Sequence, residues 1–200
     1  ATKTYTTELM AIAMLSAALA NSDERWTQLA SVPEWARYVL KLDEKIAQMT
    51  QRYRYMNQCV VLGRGFNYAT AFEWALKLKE LTYIIAEPYS SADFQHGPIA
   101  MVEGGVPVMA VAPRGKVHGS MRDMLTRLRR DKNAELVIIS DDADSLALAQ
   151  SPIQLPPQIP EWLTPLVGII PAQLFACHLT TVKGYDTEKP RNITKVTETH

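Results

Sequence analysis

The run CVVLG, Cys59 to Gly63, is short, apolar throughout and stopped by a glycine. That is the pattern of a strand buried on both faces. VPVMAVAP, from Val106, repeats it, AELVIIS, from Ala134, gives a third, and SPIQLP, from Ser151, a fourth. Between these runs the apolar spacing turns helical. NYATAFEWALKLKELTYII reads as a helix, and GSMRDMLTRLRRDK as an amphipathic helix with a basic outer face. PEWLTPLVGIIPAQLFACHLTTVKG predicts a long closing helix. Strands alternating with helices in this way predict βαβ units. The expected fold class is therefore α/β: a doubly wound, flavodoxin-like parallel sheet of about four or five strands with helices on both faces. Its strands are expected to include Gln58–Gly63, Val106–Ala112 and Glu135–Ser140.

Ahead of the first strand the pattern is helical only. ATKTYTTELMAIAMLSAALANSDE predicts a helix with Thr6 or Thr7 as N-cap and Asn21-Ser22 as its stop. Leu9, Ile12, Ala13, Ser16 and Ala17 give it one small, apolar face. So apolar a first helix, with no strand before it, is expected to be the last helix of a preceding unit, and the chain a fragment. In SVPEW, Ser31 and Glu34 predict a capping box around Pro33, opening a helix that runs to about Arg52. The expected organisation is a truncated preceding domain over 1–22, a helical linker over 23–57, the α/β domain over 58–184 and a polar tail over 185–200.

Composition narrows the class of partner. The chain has 200 residues, 47% hydrophobic and 21% charged, as an ordinary soluble domain has. Lys+Arg and Asp+Glu are both 21, so net charge favours neither nucleic acid nor an anionic membrane. The longest apolar stretch, Trp162 to Leu179, is broken by Pro165, Gly168 and Pro171 and predicts a core helix, not a membrane span. Cys59 and Cys177 are expected to be buried free thiols of a cytoplasmic protein.

Candidate chemistry concentrates in one region. LGRGFN places Gly63, Arg64 and Gly65 at a strand-to-helix turn. The turn is either a simple tight connection or an approach of backbone to an anionic group. Tyr68 stands where a dinucleotide fingerprint needs its third glycine. Glu73, Lys77 and Glu80 share one helical face. A solvated ion pair is the plain alternative, but Ala71, Phe72, Trp74, Ala75, Leu76, Leu78 and Leu81 leave this helix little surface. A carboxylate beside a lysine in a cleft is suited to proton transfer. His96 sits in DFQHGP, and Lys195 in the polar tail, where it is either solvated or an amine for Schiff-base chemistry. His118, His178 and His200 read as ordinary histidines. No Cys/His/Asp spacing suits a metal, and no cofactor motif is present.

The segment LGRGFNYATAFEWALKLKELTYIIAEPYSSADFQHGP, with DTEKPRNITKVTET, resembles the second sugar-isomerase (SIS) domain of the glucosamine-6-phosphate synthase group. The opening ATKTYTTEL resembles the last helix of the first SIS domain in those proteins. AEPYSSADFQHGP, PEWLTPL and the ending KVTET are more similar to group members without a glutaminase domain, which are amino-sugar-phosphate isomerases and deaminases. The resemblance implies that Glu80 is the base moving a proton between C1 and C2. It implies that His96 opens the sugar ring in the neighbouring subunit's site and that Lys195 forms an imine with the ketose. Lys77 and Glu73 would support that site, with the tail closing over it, and Thr2 would contact the sugar. Ala1 and Trp74 depart from the serine and glycine usual in synthases. The serine- and threonine-rich loop that grips the sugar phosphate in the first SIS domain has no counterpart here. The expected activity is aldose–ketose isomerisation of fructose 6-phosphate or glucosamine 6-phosphate by a homodimer, without cofactor. The alternative is a sugar-phosphate-binding SIS module without catalysis.

Overall fold

The structure, a computed structural model, describes residues 2–191. Four helices come first: α1 (Thr2–Leu19), α2 (Asp23–Ala30), α3 (Val32–Leu40) and α4 (Asp43–Thr50). Strands and helices then alternate: β1 (Gln58–Gly63), α5 (Asn67–Thr82), β2 (Ile85–Ser90), the short α6 (Ser91–Phe94), β3 (Pro107–Val111) and α7 (His118–Lys132). β4 (Glu135–Ser140), α8 (Ala143–Ala147), β5 (Ser151–Gln154) and α9 (Thr164–Val182) complete the order. The sheet runs β2-β1-β3-β4-β5 and every pair is parallel. This is the doubly wound, flavodoxin-type order, in which the connection reverses direction between β1 and β3.

The unbroken apolar strands follow from cover on both faces. Successive side chains point to opposite sides of a strand. Cys59 and Val61 of β1, Met109 of β3 and Val137 of β4 join α5, α9 and the N-terminal helices in one core. Val60, Leu62, Val108 and Leu136 join Met121, Met124, Leu125 and Leu128 of α7 in the other. Ala13 and Ala17 tie α1 into the first core. The segment Glu161–Val182 is long and apolar enough to cross a membrane, but α9 packs along α5, α3 and α4 as a core helix does.

Several local expectations are corrected. Thr6 and Thr7 do not cap α1: both lie inside it and donate to the Lys3 carbonyl. Ser31 makes no side-chain cap. Its hydroxyl is turned back to the Thr27 carbonyl, since Ser31 already has helical backbone angles at the α2–α3 junction. The helix expected from Ser31 to Arg52 is broken at Lys41-Leu42 into α3 and α4, followed by a turn of 3-10 helix at Gln51–Tyr53. Cys59 is buried, whereas Cys177 is exposed on the outer side of α9. β2 was not among the predicted strands. Its sequence, IAEPYS, carries a proline, which a sheet tolerates on an edge strand such as this one.

Candidate functional site

Helix α5 begins without a side-chain cap and stops at Tyr83, which takes a left-handed conformation with φ 58°. Between those points it is wedged against β1, β2 and α9. Trp74 is fully buried and stacks edge-on to Phe175 of α9 at 5.7 Å, fixing the rotation of α5. That rotation decides where the charges go. Glu73 and Lys77 are only 8% and 6% exposed. The Glu80 side chain is about a third exposed. Lys77 Nζ donates to Glu80 Oε2 at 2.5 Å and lies 3.7 Å from Glu73 Oε1. One ammonium therefore bridges two carboxylates, and the accessible one is Glu80.

The electrostatics follow from that arrangement. Burial pushes the Glu73 carboxyl above its ordinary value; Lys77 pulls it back, and the Glu80 charge adds to the rise. Burial alone would lower Lys77, but the Glu80 hydrogen bond and the charges of Glu73 and Glu80 outweigh it, and its pKa is raised. Lys77 thus stays an ammonium. Tyr5 of α1 lies beside Glu73 and Thr70, with its hydroxyl buried and short of a well-formed hydrogen bond. Burial first, then the Glu73 charge, push that hydroxyl up to about 12. The sequence reading missed Tyr5, because nothing in TKTYTTEL separates it from a packing aromatic.

Other candidates fall at different distances from this stripe. At the end of α5 the Tyr83 ring packs on Tyr185 at 4.9 Å, and the Arg191 guanidinium lies over both rings at 4.4 and 5.0 Å. The Arg191 backbone N–H also donates to the Tyr83 hydroxyl at 2.8 Å. The start of the polar tail is thereby fastened three residues beyond Glu80; Lys195 and His200 lie outside the described residues. Thr2 is exposed at the start of α1. His96 is exposed on the turn after α6, its backbone N–H on the Asp93 carbonyl, and no contact among the described residues joins it to the stripe. His118 and His178 are structural: His118 meets Ser145 at 3.1 Å and His178 meets Asp43 at 2.7 Å.

The Gly63-Arg64-Gly65 turn has a packing reason of its own. A Cβ at Gly63 would run into the Asn67 carbonyl, and Gly65 sits at φ 58°. Arg64 Nη1 donates to Ser120 Oγ at 2.9 Å. Among the described residues no group of His, Cys, Asp or Glu has the arrangement of a metal site. What α5 offers is a partly exposed carboxylate held by a buried ammonium, a group able to accept a proton and return it nearby.

Residues 53–183 match the SIS domain family. The glutamine–fructose-6-phosphate aminotransferase (isomerizing) of Thermococcus kodakarensis is 37% identical over 205 aligned residues, covering 98% of this chain and 34% of that protein. This chain thus spans about a third of the length of the curated relatives it matches. Among solved structures, the C-terminal domain of glucosamine-fructose-6-phosphate aminotransferase from Francisella tularensis superposes with a TM-score of 0.83 at 29% identity, over 93% of this chain and 55% of that one. Tagatose-6-phosphate ketose/aldose isomerase from Escherichia coli gives 0.67 at 26%, over 76% and 42%.

Proposed function

This chain belongs to the SIS domain family, and from that membership we propose that it is the aldose–ketose isomerase half of a dimeric, cytoplasmic enzyme of the glucosamine-6-phosphate synthase or deaminase type. It is homologous to the C-terminal SIS domain of glutamine–fructose-6-phosphate aminotransferase. The observation that carries the proposal is the α5 stripe, where buried Lys77 hydrogen-bonds the accessible Glu80.

In this reading Glu80 takes the weakly acidic proton from one carbon of the open-chain sugar phosphate and returns it to the next. Lys77 holds the Glu80 carboxylate in one place, and Glu73 keeps Lys77 charged. Thr2 contacts the sugar. His96, exposed on its turn, opens the ring in the site of a neighbouring subunit. Lys195 attacks the ketose carbonyl, loses water and forms an imine, which makes the adjacent C–H more acidic. It is the fourth residue after Arg191, so a chain of that length reaches at most about 14 Å from a point fastened at the end of α5. The phosphate is gripped by a companion SIS domain.

The test is borohydride trapping on the intact protein with fructose 6-phosphate, read by peptide mass spectrometry. Reduction of the imine is expected to leave the sugar phosphate on Lys195 as a stable secondary amine. An unmodified Lys195 in a protein that binds the sugar phosphate would favour the non-catalytic binding module instead.

A further inference from the structure

In an open parallel sheet the ligand crevice lies beyond the carboxyl ends of the strands, where the connection reverses. In this chain that place is between β1 and β3, and it is almost full. The cavity there measures about 10 Å³, room for one water at most. Its wall includes Arg64 and Asn67 after β1, Pro113 and Arg114 after β3, His118 of α7, and Glu161. Among the described residues Glu161 is the one acidic side chain in that wall. It reaches in from the turn of 3-10 helix ahead of α9, and its Oε1 accepts the Lys116 backbone N–H at 2.9 Å. A side chain at Gly115 would put its Cβ 2.5 Å from the Glu161 carboxyl carbon, so the glycine leaves the space that the carboxylate fills. Two arginines border the crevice and are drawn aside, Arg64 to Ser120 at 2.9 Å and Arg114 to Asp142 at 3.2 Å.

We propose that Glu161 is a built-in plug: its carboxylate occupies this SIS domain's own ligand crevice and keeps phosphate-bearing molecules out of it. The plug is steric, because the cavity holds no sugar. It is also electrostatic, because a fixed negative charge repels a phosphate from the place to which Arg64 and Arg114 would otherwise draw it. Substrate handling is then left to the α5 stripe.

The test uses inorganic phosphate as probe and the backbone amide signals of Gly115 and Lys116 as reporters. Wild type is expected to show no saturable shift. Glu161→Ala, which opens the crevice and removes the charge, is expected to show a saturable shift at phosphate concentrations at least about tenfold below the highest at which wild type still shows none, the size of effect expected on removing one like charge from an anion site. Glu161→Gln keeps the length of the side chain and loses the charge; it is expected to fall between the two, and it serves if the alanine variant does not fold. Saturable shifts in wild type equal to those of the variants, or no gain in either folded variant, would overturn the proposal.

Discussion

Helices α5 and α7 cover opposite faces of the sheet, and both carry charges at helical spacing. On α7 the apolar residues Met121, Met124, Leu125 and Leu128 form one stripe toward the core, and charges such as Arg130 and Asp131 stand in water, paired at 2.8 Å. On α5 the burial runs around most of the helix, and Glu73 and Lys77 are inside it. Exposed pairs contribute little and are replaceable. A buried ammonium between carboxylates carries a desolvation cost that packing alone would have avoided. Charges held dry against that cost, with one carboxylate left accessible, are the observation on which the proposed isomerase role of α5 rests.

The largest stability effect expected from this contrast is at Lys77. Lys77→Ala leaves Glu73 buried without its lysine partner and should cost on the order of 3 kcal/mol in denaturant unfolding. Arg130→Ala on α7 should leave the unfolding midpoint where it was. Equal effects at the two positions would break the comparison. A smaller effect is expected at Glu73, as a dependence on pH. Its carboxyl is raised above the ordinary value of 4.5. A raised acid favours its protonated form in the folded state, so the stability it adds is full below the unfolded value and is lost as pH rises through the folded one. Melting temperatures of wild type relative to Glu73→Gln should therefore fall as pH rises from about 4.5 toward neutrality. A difference that stays flat with pH would show that burial does not control this carboxyl.

The same contrast explains what was legible in the sequence. β1 and β4 could be bounded from their apolar runs because both faces of the sheet are covered, and α7 from its clean amphipathic stripe. β2 was hidden because an edge strand with Pro88 and exposed Ile85 has neither the run nor the alternation. Caps at Thr6, Thr7 and Ser31 were misplaced because a hydroxyl that caps and one that bonds back into its own helix have the same local sequence. The Glu73-Lys77-Glu80 face could be read from spacing, and its apolar neighbours pointed to little free surface, but which of the three charges is buried could not be read, since it depends on Tyr5 of α1 and on the packing of α9. Glu161 gave no signal of its own. Its position across from Gly115 comes from two segments 46 residues apart that only the sheet brings together.

The most direct test of the account is solvent-deuterium incorporation at C2 of the sugar phosphate by the Glu80→Gln variant of the intact protein. Glutamine keeps the shape of the side chain and can still meet Lys77 through its carbonyl oxygen, but it cannot take a proton from carbon. Exchange is expected to fall by about 10²–10⁴, the usual contribution of a general base, with binding of fructose 6-phosphate nearly unchanged. Exchange at the wild-type rate would mean that Glu80 is not the base and that the α5 stripe is not the centre of the chemistry.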